Sequence, residues 1–156
     1  MEIPATGWKM EVWARDIHSV INAVKYLIEL GSIDTDIPIL HPAKYSGSAY
    51  EWKGDFRYVK GNLFSFGNYY YDEVKKAIHI TELPLKVWTT PYYLSLVKKK
   101  ESEDGIIKSI DNLSDDLKVD IVVYLEKDGL DKMMAACSSD HSDCIEEYLG
   151  LKNRMV

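Results

Sequence analysis

The sequence predicts an α+β fold, with an antiparallel or mixed sheet and flanking helices, and three patterns indicate this class. Apolar residues recur at three- and four-residue spacing from Ile17 to Ile28, as in an amphipathic helix. Aromatic and polar residues alternate from Tyr50 to Tyr71, which is typical of short antiparallel strands. Two β-favouring apolar runs, 76–83 and 117–126, add further strands. Helical and strand periods therefore coexist in one chain.

The first predicted helix runs from Asp16 to Leu30. Asp16 is a favourable N-cap, and Gly31 ends the helix because glycine adopts the left-handed conformation of a C-cap. We expect the apolar stripe of this helix to pack inward.

The strands and later helices follow from turn residues and periodicity. Three glycines divide 50–71 into two or three strands, with Gly61-Asn62 as the expected hairpin corner. Segment 76–83 is expected to be a central strand that Pro84 terminates. A helix from about Thr90 to Lys100 follows, capped by Thr89 or Thr90 with Pro91 at its first position. The remaining predicted elements are strands at 106–113 and 117–126 and short helices at 130–137 and 142–149.

Length, composition and net charge limit the number of domains and the kind of partner that the chain can have. The 156 residues are 46% hydrophobic and 28% charged, enough to bury the core of one domain or of two small lobes. We predict an N-terminal part, 1–75, with the amphipathic helix and aromatic hairpins, and a second part, 76–156. The net charge of −6 argues against a self-sufficient nucleic-acid binder but permits one local basic face.

Cysteine usage and hydropathy indicate an intracellular protein. Cys137 and Cys144 do not form a disulfide framework and are expected to be reduced. No apolar run approaches the roughly 20 residues that span a bilayer, so no membrane partner is expected.

Candidate catalytic residues are few. His79 and Thr81 form one His-x-Thr, half of the motif of a two-histidine phosphoesterase, and no other histidine has a Ser or Thr two residues on. Since such an enzyme needs a second acid or base, a structural strand histidine is the favoured interpretation.

Candidate metal ligands have equally plain interpretations. Cys137, His141 and Cys144 supply three ligands, whereas structural zinc takes four. The pairs Asp34/Asp36 and Asp115/Asp116 fit solvated turns better than a magnesium site. No self-contained active site is predicted, and no metal or other cofactor is expected in this segment.

Basic and aromatic residues interleave in the first 60 positions. This pattern fits one wall of a duplex-binding surface, and it fits a mixed-charge surface with half-buried rings equally well. The residues concerned are Lys9, Arg15, Lys53, Arg57 and Lys60, with Trp8, Trp13 and Trp52.

Six blocks of the chain resemble the DNA-breakage half of eukaryotic and viral type IIA DNA topoisomerases (topoisomerase II). Ile80-Thr-Glu-Leu-Pro84 with Trp88-Thr89 resembles the family's "ITELP…WT" segment, and Ala5-Thr6-Gly7-Trp8-Lys9 its "GTGWS". The helix at Asp16-Ile17 sits where the family has "REIVNNI". The other blocks are 38–54, similar to "LPMLPNYKNFKG", 58–61, similar to "QYVINGE", and 119–125, similar to "TVKFVVKM". The blocks keep the family's order.

The resemblance implies the tower (shoulder) region of the breakage-reunion core of a divergent, viral-type enzyme. Its parent is expected to be a homodimer that uses Mg²⁺ and ATP to pass one duplex through a transient break in another. The family's catalytic tyrosine lies upstream of the TGW block, and this chain has no tyrosine before Trp8. The metal site and ATPase are also expected in other parts of the parent, so the segment alone is not catalytic.

The resemblance also implies a DNA-binding role for specific residues. Pro4 aligns with the residue that wedges between base pairs and kinks the duplex, and Ile3 is the alternate. The remaining expected contacts are Thr6, Trp8, Lys9, Lys53, Arg57 and Lys60. The expected partners are double-stranded DNA and the rest of the parent chain, in the nucleus or at a site of viral DNA replication. The alternative is a free-standing, non-catalytic interaction module of the same fold.

Overall fold

The computed structural model describes residues 2–5, 8–11, 14–31, 52–102, 105–137 and 144–155. Its contacts divide the chain into two compact units, residues 1–46 with 156, and residues 47–155.

The first unit contains a hairpin and a helix. Strands β1 (Glu2–Ala5) and β2 (Trp8–Glu11) pair antiparallel, and helix α1 spans Ile17–Leu30. The Asp16 carboxylate accepts a hydrogen bond of 2.9 Å from the Ser19 N–H, and Gly31 takes the left-handed conformation at φ 65°. Both predicted ends of this helix are confirmed.

The predicted inward packing of α1 is wrong. Ala23 is the one buried residue among those of the helix, whereas Ile17 is 63% and Ile28 is 73% exposed. An amphipathic period shows which face suits burial, but burial also requires a neighbouring surface, which periodicity does not supply.

The second unit contains two antiparallel sheets. The smaller sheet has the order β3–β4–β9, from β3 (Asp55–Val59), β4 (Asn62–Phe66) and β9 (Lys152–Arg154). The β3–β4 turn lies at Lys60 and Gly61, one residue before the predicted corner. Strand β9 was not predicted, because Lys-Asn-Arg carries no apolar alternation.

The larger sheet has the order β5–β6–β8–β7, so β6 is an inner strand as predicted. Its strands are β5 (Asn68–Asp72), β6 (Ala77–Glu82), β7 (Ile107–Asn112) and β8 (Ile121–Leu125). The predicted subdivision after residue 75 falls in the turn of the β5–β6 hairpin. The α+β class with antiparallel sheets is confirmed.

Three helices complete this unit: α2 (Thr89–Glu101), α3 (Gly129–Ala135) and α4 (Cys144–Leu149). They cover the sheet face that presents Ile78, Ile80, Ile121 and Val123, and Leu96, Met133 and Leu149 belong to the same buried cluster. No helix of the described segments is long and apolar enough to cross a membrane.

The predicted start of α2 needs correction. Its N-cap is Trp88, without a side-chain cap hydrogen bond, so Thr89 and Thr90 lie inside the first turn and Pro91 is third. Pro91 is tolerated there because the first N–H groups of a helix have no intrahelical partner.

The prediction of two reduced cysteines is also wrong in the structure, where Cys137 and Cys144 form a disulfide with Cα atoms 5.3 Å apart. The short separation of α3 and α4, which only the folded chain reveals, brings the two sulfurs together. A disulfide leaves no thiolate for a metal, and His141 lies outside the described residues.

Candidate nucleic-acid interface

The predicted wedge residues lie on the N-terminal hairpin. Ile3 and Pro4 belong to β1, while Trp8 and Lys9 belong to β2. The register pairs Pro4 with Lys9. A proline fits a two-stranded sheet because each strand has an unpaired edge on which its missing N–H costs nothing. Thr6, between the strands, lies outside the described residues.

The other predicted contacts lie around β3 in the second unit. Lys53 precedes the strand, Arg57 is its middle residue and Lys60 opens the turn after it. All three are exposed. Lys60 has a positive φ of 50°, which glycine adopts more easily than lysine.

The side chain of Arg57 forms an ion pair within the protein. Its Nη2 donates to Glu146 Oε1 at 2.6 Å and its Nη1 to Oε2 at 3.1 Å, a bidentate ion pair. The Glu146 side chain is 4% exposed, and the guanidinium also lies 3.9 Å from the centre of the Phe66 ring. The hydrogen bonds from Arg57 to Glu146 raise the pKa of Arg57, against the opposing effect of its burial.

This pairing changes what Arg57 offers to a ligand. A carboxylate neutralises most of its charge, so a phosphate would have to compete with Glu146 for the same N–H groups. The sequence did not reveal the partner, because Glu146 is 89 positions away and lies on α4.

The ITELP segment holds the residues that precede β3. Glu82 is 3% exposed, and its carboxylate accepts hydrogen bonds from the backbone N–H of Lys53 and of Leu83, both at 3.0 Å. Trp52 Nε1 donates to the Leu83 carbonyl at 2.8 Å. Gly67 approaches so closely that a Cβ there would lie 2.5 Å from the Glu82 carbonyl oxygen. The conformation around Lys53 is therefore set by ITELP and not by local sequence.

A cavity of about 800 Å³ opens beside the start of α2. Trp52, Trp88 and Lys118 line it, with Trp88 77% exposed. Asp115 and Asp116 also line it, but the Asp115 carboxylate accepts a bond of 2.8 Å from the Leu117 N–H, as in an Asx turn. The described residues contain no cluster of three or more potential metal ligands.

The side chain of His79 packs against a neighbouring strand of the larger sheet. It lies on β6 and stacks on the Tyr70 ring of β5, with centroids 4.6 Å apart and planes 2° from parallel. Its Nε2 is buried without a hydrogen-bond partner. Thr81 donates instead to the Asn68 carbonyl. The two residues thus serve separate contacts within the sheet.

A family model described as DNA gyrase/topoisomerase IV matches residues 4–154. The chain belongs to this family. The match covers both units, from the N-terminal hairpin to β9, and confirms the resemblance to type II topoisomerases. The family also gives a reason to consider DNA as the ligand of the basic surfaces described above.

Viral and protozoan proteins are among those similar to this chain. DNA topoisomerase 2 of African swine fever virus, isolate Tick/Malawi/Lil 20-1/1983, is 29% identical over 160 residues. The protein of that name from strain Badajoz 1971 is 30% identical over 162 residues. Each alignment covers 96% of this chain and 13% of the relative, so the chain spans about an eighth of their length.

The fold is shared with a solved structure, that of the Plasmodium falciparum topoisomerase II DNA-binding, cleavage and re-ligation domain. The two superpose with a TM-score of 0.69 at 17% identity, over 99% of this chain and 19% of the other. This likeness confirms the α+β fold of the topoisomerase core.

Proposed function

We propose that this chain is the tower region of a type II DNA topoisomerase and that it binds and bends the duplex that its parent cleaves. The single observation that carries the proposal is the continuous family match over residues 4–154. The viral relatives favour a viral parent.

The parent's activity follows from the same proposal. It passes one duplex through a transient double-strand break in another, as a homodimer, with Mg²⁺ and ATP bound by parts outside this chain. Among the described residues, Arg57 pairs with the buried Glu146, the two cysteines form a disulfide and His79 stacks on a tyrosine ring. In this proposal the role of the segment is to hold DNA.

Within the segment, the β1–β2 hairpin supplies the wedge. Pro4 inserts between base pairs, with Ile3 as the alternate. Thr6, Trp8 and Lys9 contact the DNA nearby. A wedge of this kind offsets the cost of unstacking by wrapping more duplex against the protein. Lys53 and Lys60 contribute phosphate contacts, whereas Arg57 contributes less because Glu146 already binds it.

The wedge is tested in the parent enzyme with a duplex that carries a fluorescence donor and acceptor on its two arms. We expect Pro4→Gly to lower the bend-dependent energy transfer and the yield of cleaved DNA, while the affinity for DNA falls by less than about 10-fold, because phosphate contacts supply most of that affinity. The unfolding midpoint is measured alongside, to establish that the hairpin variant is folded.

Ile3→Ala tests the alternate wedge residue, one position away on the same strand. Full bending by Ile3→Ala with impaired Pro4→Gly assigns the wedge to Pro4, and the reverse result assigns it to Ile3. Normal DNA bending by both variants would show that neither residue of this hairpin acts as the wedge.

The size of the native polypeptide tests the parent itself. An antibody raised against these 156 residues should detect a protein several times longer in extracts of the source. A band at the size of the segment alone would instead favour a free-standing interaction module without catalysis.

An intracellular location, in the nucleus or at a site of viral DNA replication, is part of the proposal. Reducing compartments keep most disulfides open, so at such a location we expect the Cys137–Cys144 bond of the structure to be reduced and both thiols to react with a thiol reagent in intact cells. Protection of both thiols there would argue against this location.

A further inference from the structure

Five lysines converge on one end of the larger sheet, in a groove of about 880 Å³ that we call the lysine groove. They come from four different elements: the β5–β6 turn, the beginning of β7, the end of β8 and helix α3. The lysines are Lys75, Lys76, Lys108, Lys127 and Lys132.

The sheet topology explains the convergence. Strand β6 begins where its antiparallel neighbour β8 ends, and β8 ends where β7 begins, since Ile107 pairs with Leu125. The Leu125 N–H donates to the Lys76 carbonyl at 2.8 Å, which joins the turn directly to the end of β8. Residues far apart in the sequence therefore share one edge.

The positive charge in this groove exceeds the negative charge. Within the described ranges none of the five ammonium groups forms an ion pair with a carboxylate. Lys76 Nζ donates to the Lys127 carbonyl at 3.5 Å and Lys132 Nζ to the Gly105 carbonyl at 3.3 Å. A neutral carbonyl orients an ammonium group without cancelling its charge. The lining also contains Asp111, Glu126 and Asp128, so the cations outnumber the anions five to three on a chain whose net charge is −6.

The backbone at this edge carries a further signal. Lys76 has a φ of 49°, in the left-handed region where a residue other than glycine costs about 1–2 kcal/mol. Local strain of this kind occurs at functional sites, where the surrounding structure maintains it. Lys60 and Lys86 share this conformation outside the groove, so it supports a binding role only together with the charge of the groove.

We propose that the lysine groove binds the phosphate backbone of double-stranded DNA, as a second contact surface besides the N-terminal hairpin. This inference rests on the proposed function, which supplies DNA as the partner. Strands β6 and β7 are separated by one strand, so their backbones lie roughly 10 Å apart. The grooves of B-DNA are about 6 and 12 Å wide, so Lys76, which directly precedes β6, and Lys108 on β7 are separated by a distance between these two widths.

The groove's composition also fits this occupant. Lysine binds phosphate as a point charge, without the fixed bidentate geometry of arginine. A surface made of lysines therefore binds DNA irrespective of sequence, and its affinity depends steeply on salt.

The test is the affinity of the parent enzyme, with all substitutions made within these 156 residues, for a fluorescein-labelled duplex of about 30 base pairs, from about 50 to 200 mM NaCl. The groove variant carries Lys75→Gln, Lys108→Gln and Lys127→Gln, the three lysines of the groove whose ammonium groups hold no backbone carbonyl. The control carries Lys98→Gln and Lys100→Gln, which remove lysines from the end of α2. A second comparison variant carries both Lys53→Gln and Lys60→Gln, which remove the lysines around β3.

We expect the groove variant to lose about 10- to 100-fold in affinity at the lowest salt and about 3 from the slope of log K against log salt. The α2 control should stay within about 3-fold of wild type, because its lysines lie outside the groove. Unfolding midpoints of all variants are measured in the same buffer.

Three outcomes overturn the proposal, in different ways. In the first, the groove variant binds DNA as tightly as the α2 control while Lys53→Gln/Lys60→Gln binds more weakly. The groove is then not a DNA-binding surface, and the proposed DNA role of the protein is unaffected. A wild-type protein without affinity for the duplex at the lowest salt overturns both. A tighter complex with a poly-glutamate peptide than with the duplex, lost in the groove variant, assigns the groove to an acidic protein instead.

Discussion

Two basic surfaces of the second unit differ in the availability of their charge. On β3 the strongest cation, Arg57, makes a bidentate ion pair with the buried Glu146 and lies over Phe66. In the lysine groove two of the five ammonium groups contact backbone carbonyls and, among the residues described, none pairs with a carboxylate. A basic residue therefore indicates a binding surface only when the fold leaves its charge without a partner. The following predictions measure that difference.

The largest expected effect is on stability. Arg57→Met leaves the Glu146 carboxylate buried without its partner, and we expect the free energy of unfolding to fall by about 2 kcal/mol. Removal of one member of a fully buried pair costs about 3–5 kcal/mol, and partial exposure of Arg57, 43%, reduces this because water reaches the site. Urea denaturation provides the measurement.

The matched control is Lys108→Met in the lysine groove, where the same kind of side-chain exchange breaks no ion pair. Its effect should stay within about 0.5 kcal/mol, as for most surface substitutions. Equal losses in the two variants would contradict the distinction between a neutralised and an available cation.

A smaller effect on stability is expected at Tyr92, which makes a hydrogen bond between uncharged groups at the end of α4. Its hydroxyl donates to the Leu149 carbonyl at 2.9 Å in a buried position. Tyr92→Phe removes this hydrogen bond and should cost about 1 kcal/mol at neutral pH.

Alkaline pH separates this neutral bond from the ion pair. Burial raises the pKa of Tyr92, so the folded protein keeps the phenolic proton after the unfolded chain has lost it. The contribution of Tyr92 to stability is thus complete below about pH 10 and decreases as the pH rises further. The stability difference between wild type and Tyr92→Phe should shrink above that pH. An unchanged difference would mean that Tyr92 ionises as readily in the folded protein as in the unfolded chain.

The smallest expected effect compares two of the three described turns in which a lysine has a positive φ, the third being at Lys86. Lys60 and Lys76 both have positive φ, so Lys60→Gly and Lys76→Gly should each raise the free energy of unfolding by about 0.5–1 kcal/mol. If the lysine groove binds DNA, Lys76→Gly also lowers the salt slope of duplex binding by about 1. A stabilised Lys76→Gly protein with an unchanged slope would assign this strain to folding alone.

Short-range patterns determined much of the fold. The capped α1, the inner strand β6 and strand β8 were all predicted, because capping and periodicity depend on residues only a few positions apart. The two short helices near the C-terminus were predicted for the same reason.

The family was also evident from the sequence, because the ITELP and TGW blocks are continuous segments. The structure explains part of that identity in physical terms. Glu82 and Leu83 hold Trp52 and Lys53, so the ITELP residues organise a distant segment as well as their own strand.

Only the tertiary structure decided which charges are available. Glu146 reaches Arg57 across 89 positions, and the groove lysines meet because antiparallel strands place their ends at one edge. It likewise decided that α1 exposes its apolar face, that Trp88 caps α2 and that the two cysteines form a bond. The physical reason is common to these cases. Burial, ion pairing and disulfide formation depend on distances between elements, whereas the sequence records only the preferences of each element by itself.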